Sequence, residues 1–372
     1  MNLADMLCYA DIHELSRIAL NYECECSSHS KHELIQSILM KIGRRDVFDD
    51  QIRCLSIAEI RFLNTLMFEP KSLFSLEELQ ARIKQSDFDK GETDGVNPRE
   101  VISRFKQRGW LFNGFSQQTR YLFQTPQDVL RKSAETLMHY FSEQLHYTKE
   151  PAVYREEHQL LAEDMRTFLK LIRSEPVALA ADGTMYKRSL HFILSQLAIK
   201  EEPLAKGGWR FGYGRHFKEY PNRFSLLYDY CMYKKLVEEK EGLLIISETG
   251  EAKLAEQVSA DAADLGRYWL RLYKGPIPNL SSLVYWAIRL SSRWVSRESL
   301  GKVLLPLIKP YYYDTADSIL NQRILHMLLH LGLIRWGEEE QSGQVLQATP
   351  LGKALIASST ASVLGEGGAA CR

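Results

Sequence analysis

At 372 residues, with 45% hydrophobic side chains, the chain is long enough for two to four domains with ordinary cores. Its 47 basic and 47 acidic residues cancel, which excludes a globally basic footprint, and six irregularly spaced cysteines exclude a disulfide framework. No window offers an uninterrupted apolar run of about eighteen residues, and Met1 leads into an acidic segment with no basic start or cleavage site, so a reducing cytoplasm is expected.

Charge is unevenly distributed, and the first thirty residues carry a net charge of −4. Within them, Cys24, Cys26, His29 and His32 fall inside nine residues. Such ligands suit zinc chemically, but structural zinc sites separate their ligand pairs by about a dozen residues so that a fold closes around the ion. Ser30-Lys31-His32-Glu33 reads instead as a capping box starting a helix at Lys31, which leaves the two cysteines in the preceding loop; no metal or other cofactor is expected. Residues 11–42 resemble a SAP or Rho-N type helix-extended-helix module, a small unit that often contacts nucleic acid. That assigns residues 1–45 to a helical module.

Downstream, one pattern occurs three times: a helix, a short apolar strand, a polar turn, a second strand and a Thr-led helix start. The copies run over Val101 to Leu130, Leu226 to Leu254 and Ile324 to Leu355. Their first strands are Trp110-Leu111-Phe112, Leu236-Val237 and Leu333-Ile334-Arg335, and Thr125, Thr249 and Thr349 stand where an N-cap hydroxyl would serve the next helix. Helical segments precede each copy, including Ser56 to Phe68 and Ser75 to Lys84, each led by a Ser with a carboxylate three residues on. The expected fold is mainly α with small β-hairpins, an α+β chain of tandem winged helices at 46–147, 148–258 and 259–358, followed by a flexible tail at 359–372.

The run L-L-A-E-D-M-R-T-F-L-K-L-I-R-S-E-P-V-A-L-A-A-D-G-T-M-Y-K-R-S-L, Leu160 to Leu190, resembles the N-terminal accessory region of bacterial proteins related to XPB-type DNA helicases. Leu331-Gly332-Leu333-Ile334 with Ala348-Thr349-Pro350-Leu351-Gly352 is similar to the closing segment of such modules. The likeness spans about 155–356, and no Walker A sequence or D-E-x-[HD] motor motif accompanies it. What it implies is the accessory part without the ATPase.

Two basic regions are candidate nucleic-acid contacts. Residues 97–136 have a net charge of +4; Arg99, Arg104, Lys106 and Arg108 lie on the helix that a winged helix lays in a major groove, with Arg120 in the wing. Residues 183–235 have a net charge of +6 and include W-R-F-G-Y-G-R-H-F-K-E-Y-P-N-R-F. There Trp209, Phe211 and Tyr213 interleave with Arg210, Arg215, Lys218 and Arg223, near Lys187 and Arg188, as a stacking platform for single strands requires. Surface solvation explains the first cluster equally simply, and core packing the second. The third repeat's helix, Asp317 to His330, has only Arg323 among apolar residues and reads as structural.

No G-x-S-x-G, no H-E-x-x-H and no strand-borne G-x-G-x-x-G occurs, so no catalytic residues are assigned and the chain is read as no enzyme. The expectation is a DNA-binding accessory protein of transcription, replication or repair, acting on duplex, single-stranded or forked DNA, with a helicase or other protein as a further partner. The alternative is a protein-interaction scaffold whose winged helices bind a partner protein.

Overall fold

A computed structural model describes residues 1–89, 95–204, 212, 214–256 and 259–360, and the chain is mainly helical with small antiparallel sheets, an α+β fold. It divides into two compact units, the first holding Met1–Leu145 and the second His146–Ile356. None of the helices among the described residues is long and apolar enough to cross a membrane.

The first unit opens with helices Leu3–Tyr9, Ile12–Asn21, Lys31–Gly43 and Arg45–Arg53. Ser30 accepts from the Glu33 amide at 3.3 Å as its sequence position implies, but the Glu33 carboxylate turns to the Ser27 amide at 3.2 Å, so the reciprocal half of the box is not made. Helices Ile57–Phe68 and Leu76–Ser86 follow, and both Ser56/Glu59 and Ser75/Glu78 form complete capping boxes. Next come helix Pro98–Gln107, strands β1 (Phe112–Asn113) and β2 (Phe123–Gln124), and helix Gln127–Ser142.

The second unit begins with β3 (Val153–Arg155), helix Leu160–Ser174, β4 (Val177–Ala178), and helices Lys187–Gln196 and Asn222–Tyr233. The hairpin β5 (Val237–Lys240) and β6 (Leu243–Ile246) leads into helices Glu248–Ala255, Ser259–Tyr273 and Leu280–Leu290. After β7 (Val295–Ser296) and helix Arg297–Leu304, a helical path runs from Ala316 to His330 with a π-helical middle at Ile319–Leu325. The hairpin β8 (Ile334–Glu339) and β9 (Gly343–Ala348) precedes helix Pro350–Thr360. The tail expected from 359 lies, from 361 onward, outside the described residues.

The repeats share more than element order. Before each hairpin the helix closes on a left-handed residue, Gly109 (φ 65°), Lys235 (φ 54°) or Gly332 (φ 68°). The next amide, from Trp110, Leu236 or Leu333, reaches back to the carbonyl of Phe105, Cys231 or Leu328 at 2.8–3.0 Å, the pattern of a Schellman motif. In all three copies the return strand of the hairpin pairs antiparallel with a short segment from two helices earlier: Phe74 with Phe123, β4 with β6, and β7 with β9. β3 adds to the third sheet beside β8, giving the order β3-β8-β9-β7.

The Thr caps require correction. Thr349 behaves as expected, its hydroxyl accepting from the Gly352 amide at 3.1 Å and donating to the Gly332 carbonyl at 2.7 Å. In the second copy Ser247, not Thr249, does this work, accepting from the Gly250 amide at 3.0 Å and donating to the Lys235 carbonyl at 2.5 Å. The shared requirement is the glycine, because a Cβ at Gly250 or Gly352 would strike the backbone carbonyl of Leu236 or Leu333. In the first copy the Thr125 hydroxyl is buried without a hydrogen bond, Pro126 is the cap residue, and Asp128 occupies the glycine's place and accepts from the Leu3 amide at 2.8 Å.

An ionic cluster lies inside the second unit. The Arg223 guanidinium, with no solvent exposure, is 2.6 Å from Asp164 and 3.6 Å from Glu157, both buried. Glu157 also pairs with Arg155 at 2.5 Å and His330 at 3.0 Å, tying the second repeat to β3 and to the third repeat's helix. Breaking such a pair from one side leaves an uncompensated buried charge, which costs about 3–5 kcal/mol. Arg223→Met is therefore expected to lower stability by about that amount in chemical denaturation monitored by circular dichroism, and a loss of less than about 1 kcal/mol would contradict the role given to the cluster.

Candidate nucleic-acid interface

Helix Pro98–Gln107 starts with Asn97 accepting from the Arg99 amide at 3.1 Å and with Pro98 at its first position, where a missing N–H costs nothing. Val101, Ile102 and Phe105 are buried, so Arg99, Ser103 and Gln107 lie on the exposed side. Arg104 and Lys106 fall between these faces. Arg104 is 2.9 Å from Glu59, and Lys106 is 3.3 Å from Glu14 and 2.8 Å from the Asn113 side chain. Arg108, expected to face solvent, is buried: it lies 3.5 Å from Glu59, donates to the Gln51 side chain at 3.0 Å and sits over the Trp110 ring.

Glu59 therefore has two tasks. Its carboxylate closes the Ser56 capping box and also faces both arginines. Burial pushes its pKa up, but the Ser56 amide, Arg104 and Arg108 outweigh burial and hold it below the ordinary carboxylate range. Sequence reading missed Glu14 and Glu59 as partners of the basic helix. The capping-box position marked Glu59 as a cap, while no local signal marks a partner 45 residues away.

Beyond the helix, Arg120 on the hairpin is exposed and lies over the Tyr121 ring at 4.5 Å. Between the helix, the hairpin and the N-terminal helices runs a groove of about 690 Å3, lined by Glu14, Arg17, Ser103, Lys106, Asn113 and Arg120 among others. At the groove, Tyr9 stacks on Phe115 with ring centroids 4.5 Å apart. Of the basic set, Lys106 and Arg120 line this groove while Arg99, Arg104 and Arg108 do not, and three of the five cations already face carboxylates.

The second basic region divides differently. Lys187 and Arg188 are exposed at the start of their helix, and Lys218 is exposed. Arg215 is 2.6 Å from Glu239, and Arg223 belongs to the interior cluster and has no surface to offer a ligand. Tyr220 and Phe224 are buried in a ring cluster with Phe168 and Tyr228, and Tyr220 Oη accepts from the Met185 amide at 2.9 Å, so these aromatics pack the core. Trp209, Arg210, Phe211 and Tyr213 lie outside the described residues.

Of the N-terminal ligand types, Cys24 and Cys26 are half-buried in the loop before helix Lys31–Gly43, and His29 and His32 are exposed. Burial, then the neighbouring Cys26, pushes the Cys24 thiol up, away from the thiolate that binds metal. Among the described residues no three His, Cys, Asp or Glu side chains form a group able to hold a metal ion. No family model, curated protein or solved structure matches the chain.

Asp229, on helix Asn222–Tyr233, holds the end of the aromatic-basic segment by accepting from the Arg215 amide at 2.6 Å. Burial pushes its carboxyl up to about 7. The folded protein then keeps a proton that the unfolded chain releases near pH 3.8, so stability is lost as pH rises from there through about 7. Asp229→Asn should remove that slope, and melting temperatures from pH 5 to 8 should show the variant gaining on the parent as pH rises; parallel curves would contradict it.

Proposed function

We propose that this chain is a nucleic-acid-binding accessory protein built from tandem winged helices, working in the cytoplasm without catalysis of its own. The observation that carries the reading is the threefold recurrence of helix, strand, helix, helix and hairpin, with the early strand joined to the hairpin's return strand each time. That is the order of a winged helix, whose third helix and wing are its usual contacts with duplex. The likeness of residues 155–356 to the accessory region of XPB-type helicases belongs to the same reading, with a helicase or related DNA-processing protein as a further partner.

The third helix of the first copy exposes an arginine, Arg99, whereas the exposed positions of the third copy's helix, Asp317, Gln322 and His326, include no arginine or lysine. In the second, nine consecutive residues from Arg223 to Cys231 are buried, and in the third Ile319, Leu320, Arg323, Ile324 and Leu325 are buried. Duplex contact is therefore assigned to Arg99 and Arg120, with Arg104 and Lys106 joining as phosphate oxygens replace Glu59 and Glu14. Arg108 and Arg223 are left out because they are buried.

The scaffold alternative keeps two observations in its favour: Arg104, Lys106 and Arg108 are compensated in place, and Tyr312 and Tyr313 are each 80% exposed.

Fluorescence anisotropy with labelled duplex, fork and single strand should show binding at about 50 mM salt that weakens steeply by about 200 mM. The double variant Arg99→Ala/Arg120→Ala should flatten the logarithmic salt slope for duplex by roughly 2, one phosphate contact per arginine. An absence of binding at low salt, or an unchanged slope, would contradict the assignment.

A further inference from the structure

On helix Lys187–Gln196 of the second unit, cations and rings are exposed together without mutual pairing among the described residues. Leu190, Ile193 and Leu194 are buried, so the opposite arc carries Lys187, Arg188, His191 and Phe192 outward, with Tyr186 at its head. Tyr186 and Phe192 are each 55% exposed. Neither ring stacks on another ring or under a cation among the described residues, whereas the exposed Tyr121 lies under Arg120 and Tyr233 under Arg271. The helix contains no acidic residue, and Lys187 and Arg188 pair with no carboxylate among the described residues, in contrast to Arg104, Lys106 and Arg215. The nearest acid in sequence, Asp182, accepts from the Thr184 amide at 3.0 Å and from its hydroxyl at 2.7 Å.

We infer that this face is a binding site for single-stranded nucleic acid, with bases stacked on Tyr186 and Phe192 and phosphates paired with Lys187 and Arg188. Rings more than half exposed yet anchored on a helix whose inner face is packed provide rigid stacking surfaces, and their sequence tolerance suits a strand of any base. Duplex is a poor ligand here because its bases are already stacked on each other. A membrane surface fits less well: the apolar face of the helix is buried, leaving two rings in a polar arc and no continuous apolar strip to enter a bilayer. This site rests on the nucleic-acid reading above, but it uses residues separate from the Arg99 and Arg120 surface.

The experiment uses the full chain and three probes in parallel: a labelled oligothymidine, a duplex of the same length, and anionic phosphatidylserine vesicles. Tyr186→Ala and Phe192→Ala should each weaken oligothymidine binding roughly ten-fold or more and leave duplex binding unchanged. Phe192→Tyr should retain affinity while Phe192→Leu loses it, since leucine keeps apolar area but not the stacking face. Lys187→Ala/Arg188→Ala should flatten the single-strand salt slope by roughly 1.4. Equal losses on both nucleic acids, no loss on oligothymidine, or binding to vesicles alone would overturn the site. Retained duplex binding that still depends on Arg99 and Arg120 would leave the broader reading intact in that event, whereas a parent protein that binds neither nucleic acid overturns both.

Discussion

The left-handed turn that ends the third helix of each repeat is the constraint on which the folded segments depend. Gly109, Lys235 and Gly332 reverse the chain so that the strand immediately following enters a hairpin, and that hairpin's return strand meets a segment laid down two helices earlier. An L-residue pays for positive φ with Cβ crowding, so glycine is the natural occupant and Lys235 is the exception. In the second and third copies the turn is tied further, since the hydroxyl of Ser247 or Thr349 donates to the carbonyl of Lys235 or Gly332. The hairpins, including the one that carries Arg120 in the first copy, are positioned from this corner.

Electrostatics then separates cations that build from cations that stay exposed and uncompensated among the described residues. Glu59 draws in Arg104 and Arg108, and Glu157 with Asp164 holds Arg223. These arginines sit at interior or half-interior positions where an unpaired charge would be far more costly than at the surface. Arg99, Arg120, Lys187, Arg188 and Lys218 are exposed and have no carboxylate partner among the described residues. A neutral chain can bind a polyanion locally in this way, because within about a Debye length it is the local excess of charge that a phosphate meets.

Much of the fold was legible because it is written in local signals. The serine caps at 30, 56 and 75, the helical periodicity and the repeated hairpins follow from nearest-neighbour chemistry, and the helices and strands appear where those signals stand. The cap at Thr249 was misplaced because Ser247 and Thr249 offer the same hydroxyl, and the choice is made by Gly250, which must pass against the Leu236 carbonyl. The candidate site was less legible. Counting charge along residues 97–136 sees seven cations, but not that Glu14 and Glu59 fold back on two of the helix's basic side chains and reach a third. Aromatic interleaving around Tyr220 and Phe224 has the same composition whether rings face bases or a core, and only burial distinguishes the two.

The most direct test of nucleic-acid binding through the first repeat is hydrogen–deuterium exchange of the full chain with and without saturating duplex. Slower exchange over residues 98–107 and 112–124, lost in Arg99→Ala/Arg120→Ala, is the expected result. Unchanged exchange there under conditions that saturate binding, with protection confined to other segments such as 311–318, would contradict it.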